Sequence, residues 1–585
     1  MAISVNMRWI AAAVVLCSLL AVGQFAEDKP CERRRAGLFR SIVCVCNSTY
    51  CDTVTRENPA RGTYVVYTST HGGKRFEKSY GTIKTLPEQR FDDPGDLEPE
   101  PEPIEMDFGA GELKNLPDPP FKQEMDDNEE DEDDDEDSEE FERVADRPEL
   151  YDILTNVVLR IYPSTRYQVI EGFGGSVTDA AAINWRTLSE ATQETFMQTY
   201  FGPEGLEYNM IRVPIAGCDF SEYPYTYAET PWNDATLSNF SLSHHDFFLK
   251  LPMIKRAQSV ATDEIKITAS TWSPPIWMKT NEAITGFAQL KKEYYQAFAD
   301  YHLRFIEEYD RFDVKIWAIT TTNEPINGIV PFVQFNSLGW FPHELGRWLA
   351  DNLGPTIKKS RFNQTKILGI DDQRYLLPVY LAGMELAAPE SIDYMDGVAV
   401  HWYGNFFPPQ ILSAIQNRYP DKILLATEAC EGSMPWNLQK VILGSWRRAG
   451  TYVKSILQDL NNHVVGWIDW NLCLDPIGGP NWVDNFVDSP ILVYKDRDEF
   501  IKQPMFYAMG HFSKFIPRGS RRVRVSRRSV ANIENVAVRK PNGNLVVVMQ
   551  NRRRRPMNVE IRISSSRYID IIMEPRSIKT IEINP

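Results

Sequence analysis

Two apolar runs in this sequence end on carboxylic acids. "VKIWAITTTNEP" is aromatic and β-branched until it reaches Asn323 and Glu324, directly before Pro325. "DKILLATEAC" is apolar until it delivers Glu428. Runs of this composition read as buried strands, and a buried strand gains nothing in packing by finishing on an acid. Two glutamates at matching ends of two strands are placed to flank one bond. With one as nucleophile and one as proton donor, about 5–5.5 Å apart, such a pair cleaves a glycosidic bond with retention of configuration. The negative charge of the nucleophile helps to keep a proton on its partner. A single glutamate at a strand end is more often a cap or an ion-pair partner. The pair, with "NEP" behind one member, favours catalysis.

The elements that must carry this pair are legible as a repeat. Eight strand candidates occur: "QVIEGFGG", "NMIRVPI", "IKITAS", "IWAITT", "KILGIDD", "GVAVHWY", "ILLATE" and "VVGWIDW". Amphipathic stretches such as "RTLSEATQETFMQTYF" and "KEYYQAFADYHLRFIEEYD" read as helices between them. Eight strand–helix units in one stretch predict an α/β fold, a (β/α)8 TIM barrel over 166–519, whose active site lies at the carboxyl ends of the strands. Those ends hold Asp219, Trp272, Asn323, Glu324, Asp371, Asp372, His401, Glu428 and Trp470. Strands four and seven face each other across the barrel mouth. Arg212, at the end of strand two, is placed to keep Glu428 ionised. Asn323 is placed to hydrogen-bond a sugar 2-hydroxyl.

At 585 residues the chain is long enough for more than this domain. Its first 23 residues, with one positive charge, an apolar run and small residues at Ala21 and Gly23, read as a secretory signal peptide. Cys31, Cys44, Cys46 and Cys51 cluster behind it, as expected of disulfides in an oxidising compartment. Three connectivities are open. Cys44 and Cys46 are too close to pair easily, so Cys31–Cys44 with Cys46–Cys51 is the expected set. Sequons at Asn47, Asn239 and Asn363 suit a glycosylated secretory protein. Such a route argues against a nucleic-acid partner, although arginines crowd the C-terminal end at Arg521, Arg522, Arg524, Arg527, Arg528 and 552–555.

The net charge of −17 comes from one segment. Residues 92–146 hold 26 acids and 3 bases, a composition that repels itself, buries almost nothing and predicts a disordered insert. Residues 24–51 predict a small disulfide-stapled sheet. Short strand patterns in 52–91, 147–165 and 520–585, such as "TYVVYTS" and "NLVVVMQN", predict an accessory β-sandwich built from both chain ends.

Long stretches carry a family likeness. "CVCNSTYCD", "EGFGGSVTDAAA", "YNMIRVP", "TNEP", "DDQR", "VAVHWY", "TEAC", "HVVGWIDWNL" and "GGPNWVDNFVDSP" resemble the glucosylceramidases, a family of retaining barrel glycosidases. The resemblance implies Glu324 as acid/base and Glu428 as nucleophile. It implies a glucose pocket lined by Asp219, Trp272, Asn323, Trp470 and Asn485, with Arg212, His401 and Tyr403 supporting the pair. It further implies the same disulfide pairing, a small antiparallel sheet and an immunoglobulin-like sandwich, and a chemistry that needs no metal or cofactor. Its expected setting is the lysosomal lumen or outside the cell. The expected partners are glucosylceramide in membranes, an anionic lipid surface and a saposin-type activator protein. Two departures stand out: the acidic insert, and the loop "INGIVPFVQFNSLGWF" after Glu324, on the aglycone side. The competing readings are a β-glycosidase of another aglycone, a steryl glucoside or a glucan, and a non-catalytic lipid- or glycan-binding relative.

Overall fold

A computed structural model describes residues 28–37, 40–86 and 155–585. The signal peptide expected at 1–23 and the acidic segment 92–146 lie outside the described residues. Eight parallel strands close into a barrel: Gly172–Ser176 (β1), Met210–Ile215 (β2), Lys266–Thr271 (β3), Ile316–Thr320 (β4), Lys366–Gln373 (β5), Gly397–His401 (β6), Ile423–Glu428 (β7) and Val464–Asn471 (β8). Their inner side chains, among them Met210, Ala318, Leu368, Ala399, Leu425 and Ile468, form a buried layer that fills the barrel. Gly174 is required there: a Cβ at this position would stand 1.8 Å from the Met210 carbonyl oxygen, so only glycine lets β1 lie against β2.

Two sequence expectations shift in detail. "QVIEGFGG" is not one strand. Asn156–Val169 belongs to the sandwich, and β1 begins only at Gly172. Arg212 lies inside β2 rather than at its end.

The accessory β region is one hydrogen-bonded order of ten strands. The long strand Asn156–Val169 makes it continuous, pairing antiparallel with Arg521–Arg527 and parallel with Met557–Arg562. Strands Thr63–Thr70 and Ser577–Asn584 bring the two chain ends together. A separate four-stranded sheet joins Arg33–Arg35 and Ile42–Asn47 to Ile491–Tyr494 and Glu499–Lys502. The small sheet expected within 24–51 thus takes half its strands from the segment after β8, inside 166–519. Disulfides Cys31–Cys44 and Cys46–Cys51 staple it, and Cys218, Cys430 and Cys473 are buried thiols. The sequon residues Asn239 and Asn363 are exposed, and Asn47 is half-buried at the end of the strand Ile42–Asn47, its Oδ1 accepting from Tyr50 N at 3.0 Å.

Barrel and sandwich share a core. Tyr67 packs on Phe515 with ring centroids 4.2 Å apart, and His511 Nδ1 lies 2.9 Å from Thr580 Oγ1. Helix Pro504–Ser513 is therefore clamped between the two layers. Among the described residues, no helix is long and apolar enough to cross a membrane.

Candidate active site

The carboxyl ends of the barrel strands surround a cavity of about 250 Å³. Asp219, Trp272, Asn323, Glu324, Tyr403, Glu428, Trp470 and Asn485 all line it. Arg212 and His401 stand directly behind it, both fully or almost fully buried. Every site residue singled out in the sequence for substrate or catalysis is thus in one place.

Irregular backbone aims these side chains. β4 stops at Thr320, and Asn323 and Glu324 follow in a loop. Glu324 has φ +41°, in the left-handed region that non-glycine residues avoid, and so do Ile370 (+76°) and Asp371 (+59°). The ladder between β5 and β6 shifts register at Ile370–Asp372, and that between β6 and β7 shifts at Val400–His401. Bulges at strand ends turn side chains that a regular ladder would point elsewhere. Here the residues the ladders skip are Asp371 on β5 and Thr427 on β7, and Thr427 Oγ1 donates to Asp371 Oδ1 at 2.6 Å.

Arg212 is the hub. Its Nη1 donates to Glu428 Oε2, its Nη2 to Asn323 Oδ1 at 2.7 Å and Asp371 Oδ2 at 2.9 Å, and its Nε to Ser270 Oγ at 3.2 Å. Trp272 and Trp470 stack on each other with centroids 5.2 Å apart, and the guanidinium lies 4.9 Å and 5.3 Å from their rings. Burial would lower the Arg212 pKa, but the charges of Asp371 and Glu428 outweigh it and raise it. Burial would likewise raise Asp371, yet Arg212 and His401 hold it well below the usual carboxylate range.

Tyr403 donates to Glu428 Oε1 at 2.8 Å. Around Glu324, His401 Nδ1 lies 3.0 Å from Oε1 and His401 Nε2 lies 3.0 Å from Asp371 Oδ1. Burial alone would lower His401, but Glu428 and Asp371 raise it to about 10. The ring is therefore an imidazolium with both nitrogens donating. For Glu428, burial pushes the carboxyl up and the Glu324 charge adds to that, while His401 and Arg212 pull it back; the net direction is up. An oxygen of Glu324, an oxygen of Glu428 and a ring nitrogen of His401 lie within 4.8 Å of one another. That spacing matches the ~5–5.5 Å pair of retaining hydrolysis rather than the ~6.5–9.5 Å pair of inverting hydrolysis.

The barrel stretch, residues 170–516, matches the glycosyl hydrolase family 30 TIM-barrel domain, and 519–581 matches the family's β-sandwich domain. The chain belongs to glycosyl hydrolase family 30. It is 38% identical to the lysosomal acid glucosylceramidase of Mus musculus, over 94% of this chain and 95% of that one. It is 35% identical to putative glucosylceramidase 3 of Caenorhabditis elegans, over 98% of each chain. The crystal structure of SrfJ from Salmonella typhimurium shares the fold with a TM-score of 0.71 at 23% identity, covering 89% of this chain and all of that one.

Within this family 30 site, the sequence does not show which contacts several participants make. Asp371 and Asp372 stand out only as acids at a strand end; the bulge in β5 decides which faces the site. Asp371 joins Arg212 to His401. Asp372 accepts from Ile326 N at 3.1 Å, and burial together with the Glu324 charge pushes it up to about 8. Gln373 Nε2 donates to Glu324 Oε1 at 2.7 Å, and Asn327 Nδ2 donates to Oε2. Asn481 and Asn485 each donate to Asp219 Oδ2 at 3.2 Å. Burial and the Glu428 charge still push Asp219 up to about 7. The "NEP" motif points to Glu324 but says nothing of its neighbours across the barrel.

Proposed function

We propose that the protein is a retaining β-glucosidase that releases glucose from glucosylceramide by double displacement. The observation that carries the reading is the close carboxyl pair, with Arg212 and Tyr403 on Glu428 and His401 on Glu324. Arg212 and Tyr403 favour charge on Glu428, which acts as nucleophile at the anomeric carbon. Glu324, as acid/base, hands a proton to the departing oxygen and later takes one from water. Asn323, held by Arg212, reaches for the 2-hydroxyl. Trp272, Trp470, Asp219 and Asn485 bound the sugar with apolar faces and acceptors, and a cavity smaller than the ~300 Å³ of drug-sized pockets suits one hexose ring. The near full-length likeness to a glucosylceramidase supports the aglycone.

The substrate's lipid tail requires contact with a membrane. Exposed Trp232, Phe332, Phe406 and Trp436 stand on loops that leave β2, β4, β6 and β7 at the cavity end. These residues support docking on an anionic lipid surface in the lysosomal lumen, reached through the secretory pathway, with a saposin-type activator presenting the lipid. Replacing Phe332 and Phe406 by Ser is expected to lower hydrolysis of glucosylceramide in vesicles at least several-fold while sparing a water-soluble β-glucoside. Equal rates on both substrates in wild type and variant would remove the docking claim. The reading itself is tested by incubating the protein with glucosylceramide vesicles and following glucose by proton NMR. The β-anomer should appear first. The α-anomer first would exclude retention, and no glucose would exclude the substrate.

A further inference from the structure

Three side-chain donors converge on Glu324, divided unevenly between its oxygens. Oε1 receives His401 Nδ1 and Gln373 Nε2, whereas Oε2 receives Asn327 Nδ2 alone. A carboxylate oxygen offers two lone pairs. Oε1 is therefore fully occupied, and Oε2 keeps one position for a proton in transit. Asn327 is itself on the cavity wall, so the proton passes beside it.

The backbone holds Asn327 at that oxygen. Its N–H donates to the Glu324 carbonyl at 2.9 Å, closing a turn immediately after the left-handed Glu324. Ile326 N, one residue earlier, is tied to Asp372 Oδ2 on β5 at 3.1 Å. The amide thus reaches Oε2 from a short, pinned turn rather than from a free loop. This turn opens the segment "INGIVPFVQFNSLGWF".

We propose that Asn327 is a positioning residue for the proton transfer: its amide fixes Oε2 toward the glycosidic oxygen and, by donating to it, stabilises the charge left there when the proton departs. The inference rests on the reading of Glu324 as acid/base. In the first step the Oε2–H bond breaks and a new O–H forms on the departing oxygen, as the bond from the anomeric carbon to that oxygen is replaced by one to Glu428. In the second, water gives its proton to Oε2 and its oxygen to the anomeric carbon, and Glu428 leaves. A donor on Oε2 stabilises the deprotonated form reached between these steps. The other titratable groups facing Glu324 are His401, Glu428, Asp372, Tyr375 and Tyr403.

The test is the pH profile of kcat/KM for the full chain and for Asn327→Ala and Asn327→Asp, on an alkyl β-glucoside and on a dinitrophenyl β-glucoside. The alkyl alcohol leaves only with a proton; the dinitrophenolate leaves without one. In Asn327→Ala the basic limb on the alkyl substrate should move up by about half to one pH unit, the size expected for one lost neutral donor. The loss at the optimum should be several-fold greater on the alkyl than on the dinitrophenyl substrate. Asn327→Asp, similar in size but bringing a negative charge to Oε2, should move the limb further up. Unmoved limbs in both folded variants, or equal losses on both substrates, would overturn the proposal. Glu324→Ala is run beside them with azide. If azide restores turnover and gives β-glucosyl azide while the Asn327 limbs stay unmoved, only the present inference fails. If azide restores nothing, the acid/base reading fails and the inference with it.

Discussion

At the scale of the residue, Arg212 decides whether the site exists. Its guanidinium is the only neutralising partner in direct contact with both Glu428 and Asp371 among the described residues, apart from the imidazolium of His401. Removing one member of a buried ion pair costs about 3–5 kcal/mol, because the other charge stays behind without its partner. Arg212→Met should therefore lower the melting temperature and cut kcat/KM on the order of 100-fold or more, since preorganised charge is the largest catalytic contribution in such sites. Near-normal kcat/KM in the variant would contradict the role assigned to it. The sequence makes Arg212, Asn323, Glu324 and Glu428 visible because each interrupts an apolar strand pattern. Asp371 is visible only as an acid ending its strand, and Gln373 and Asn327 were not legible in that way. Asp371 depends on two consecutive left-handed residues, and Asn481 meets Asp219 across 262 positions of chain.

At the scale of the element, strand packing and loop ties determine how well these groups are held. Gly174→Ala forces a Cβ into the Met210 carbonyl oxygen and should prevent closure between β1 and β2. The expected result is no soluble, folded protein; a soluble variant melting like wild type would refute the packing argument. The loop after β4 is tied to the loop after β3 by backbone hydrogen bonds, Ala288 N to Gly328 O at 2.9 Å and Gly339 N to Ala288 O at 2.8 Å, and by the side chain of Lys279. Lys279 Nζ donates to Ile284 O at 2.9 Å and to Ser337 O at 2.7 Å, while burial pushes its pKa down to about 7. Lys279→Met should speed limited proteolysis within 326–340, where Asn327 and the cavity residue Phe335 lie. An unchanged cleavage pattern would show that the tie is dispensable. Strand identity was legible from apolar runs and turn residues. The split at "QVIEGFGG" was not, because both halves are strands and only tertiary pairing assigns one to the sandwich and the other to the barrel.

At the scale of the whole molecule, buried protonation ties stability to pH. His401 is raised to about 10 and Asp372 to about 8. Between pH 6.5 and 8 the folded chain therefore keeps protons that ordinary histidine (about 6.5) and aspartate (about 3.9) lose on unfolding. Asp219, raised to about 7, adds to this at the lower end of the window, while Lys279, lowered to about 7, and His302, His463 and His511, lowered to about 4, 4 and 3, offset part of it. The net is a loss of stability as pH rises through this window, on the order of 1 kcal/mol per pH unit. The melting temperature should fall from pH 6.5 to pH 8, and a rise would contradict these assignments. The domain plan was legible as eight repeated units flanked by strand-rich ends. The small sheet's dependence on the segment after β8 was not, since nothing in "ILVY" and "EFIK" names the strands they join.

The central claim is that Glu428 forms the bond to the sugar. The most direct measurement is incubation with a 2-deoxy-2-fluoro-β-glucosyl fluoride at mildly acidic pH, followed by mass spectrometry of the digested protein. A fluoroglucosyl adduct on the peptide bearing Glu428, absent in Glu428→Gln, is the predicted result. An adduct on another residue, or undiminished β-glucoside hydrolysis with no adduct at all, would contradict it.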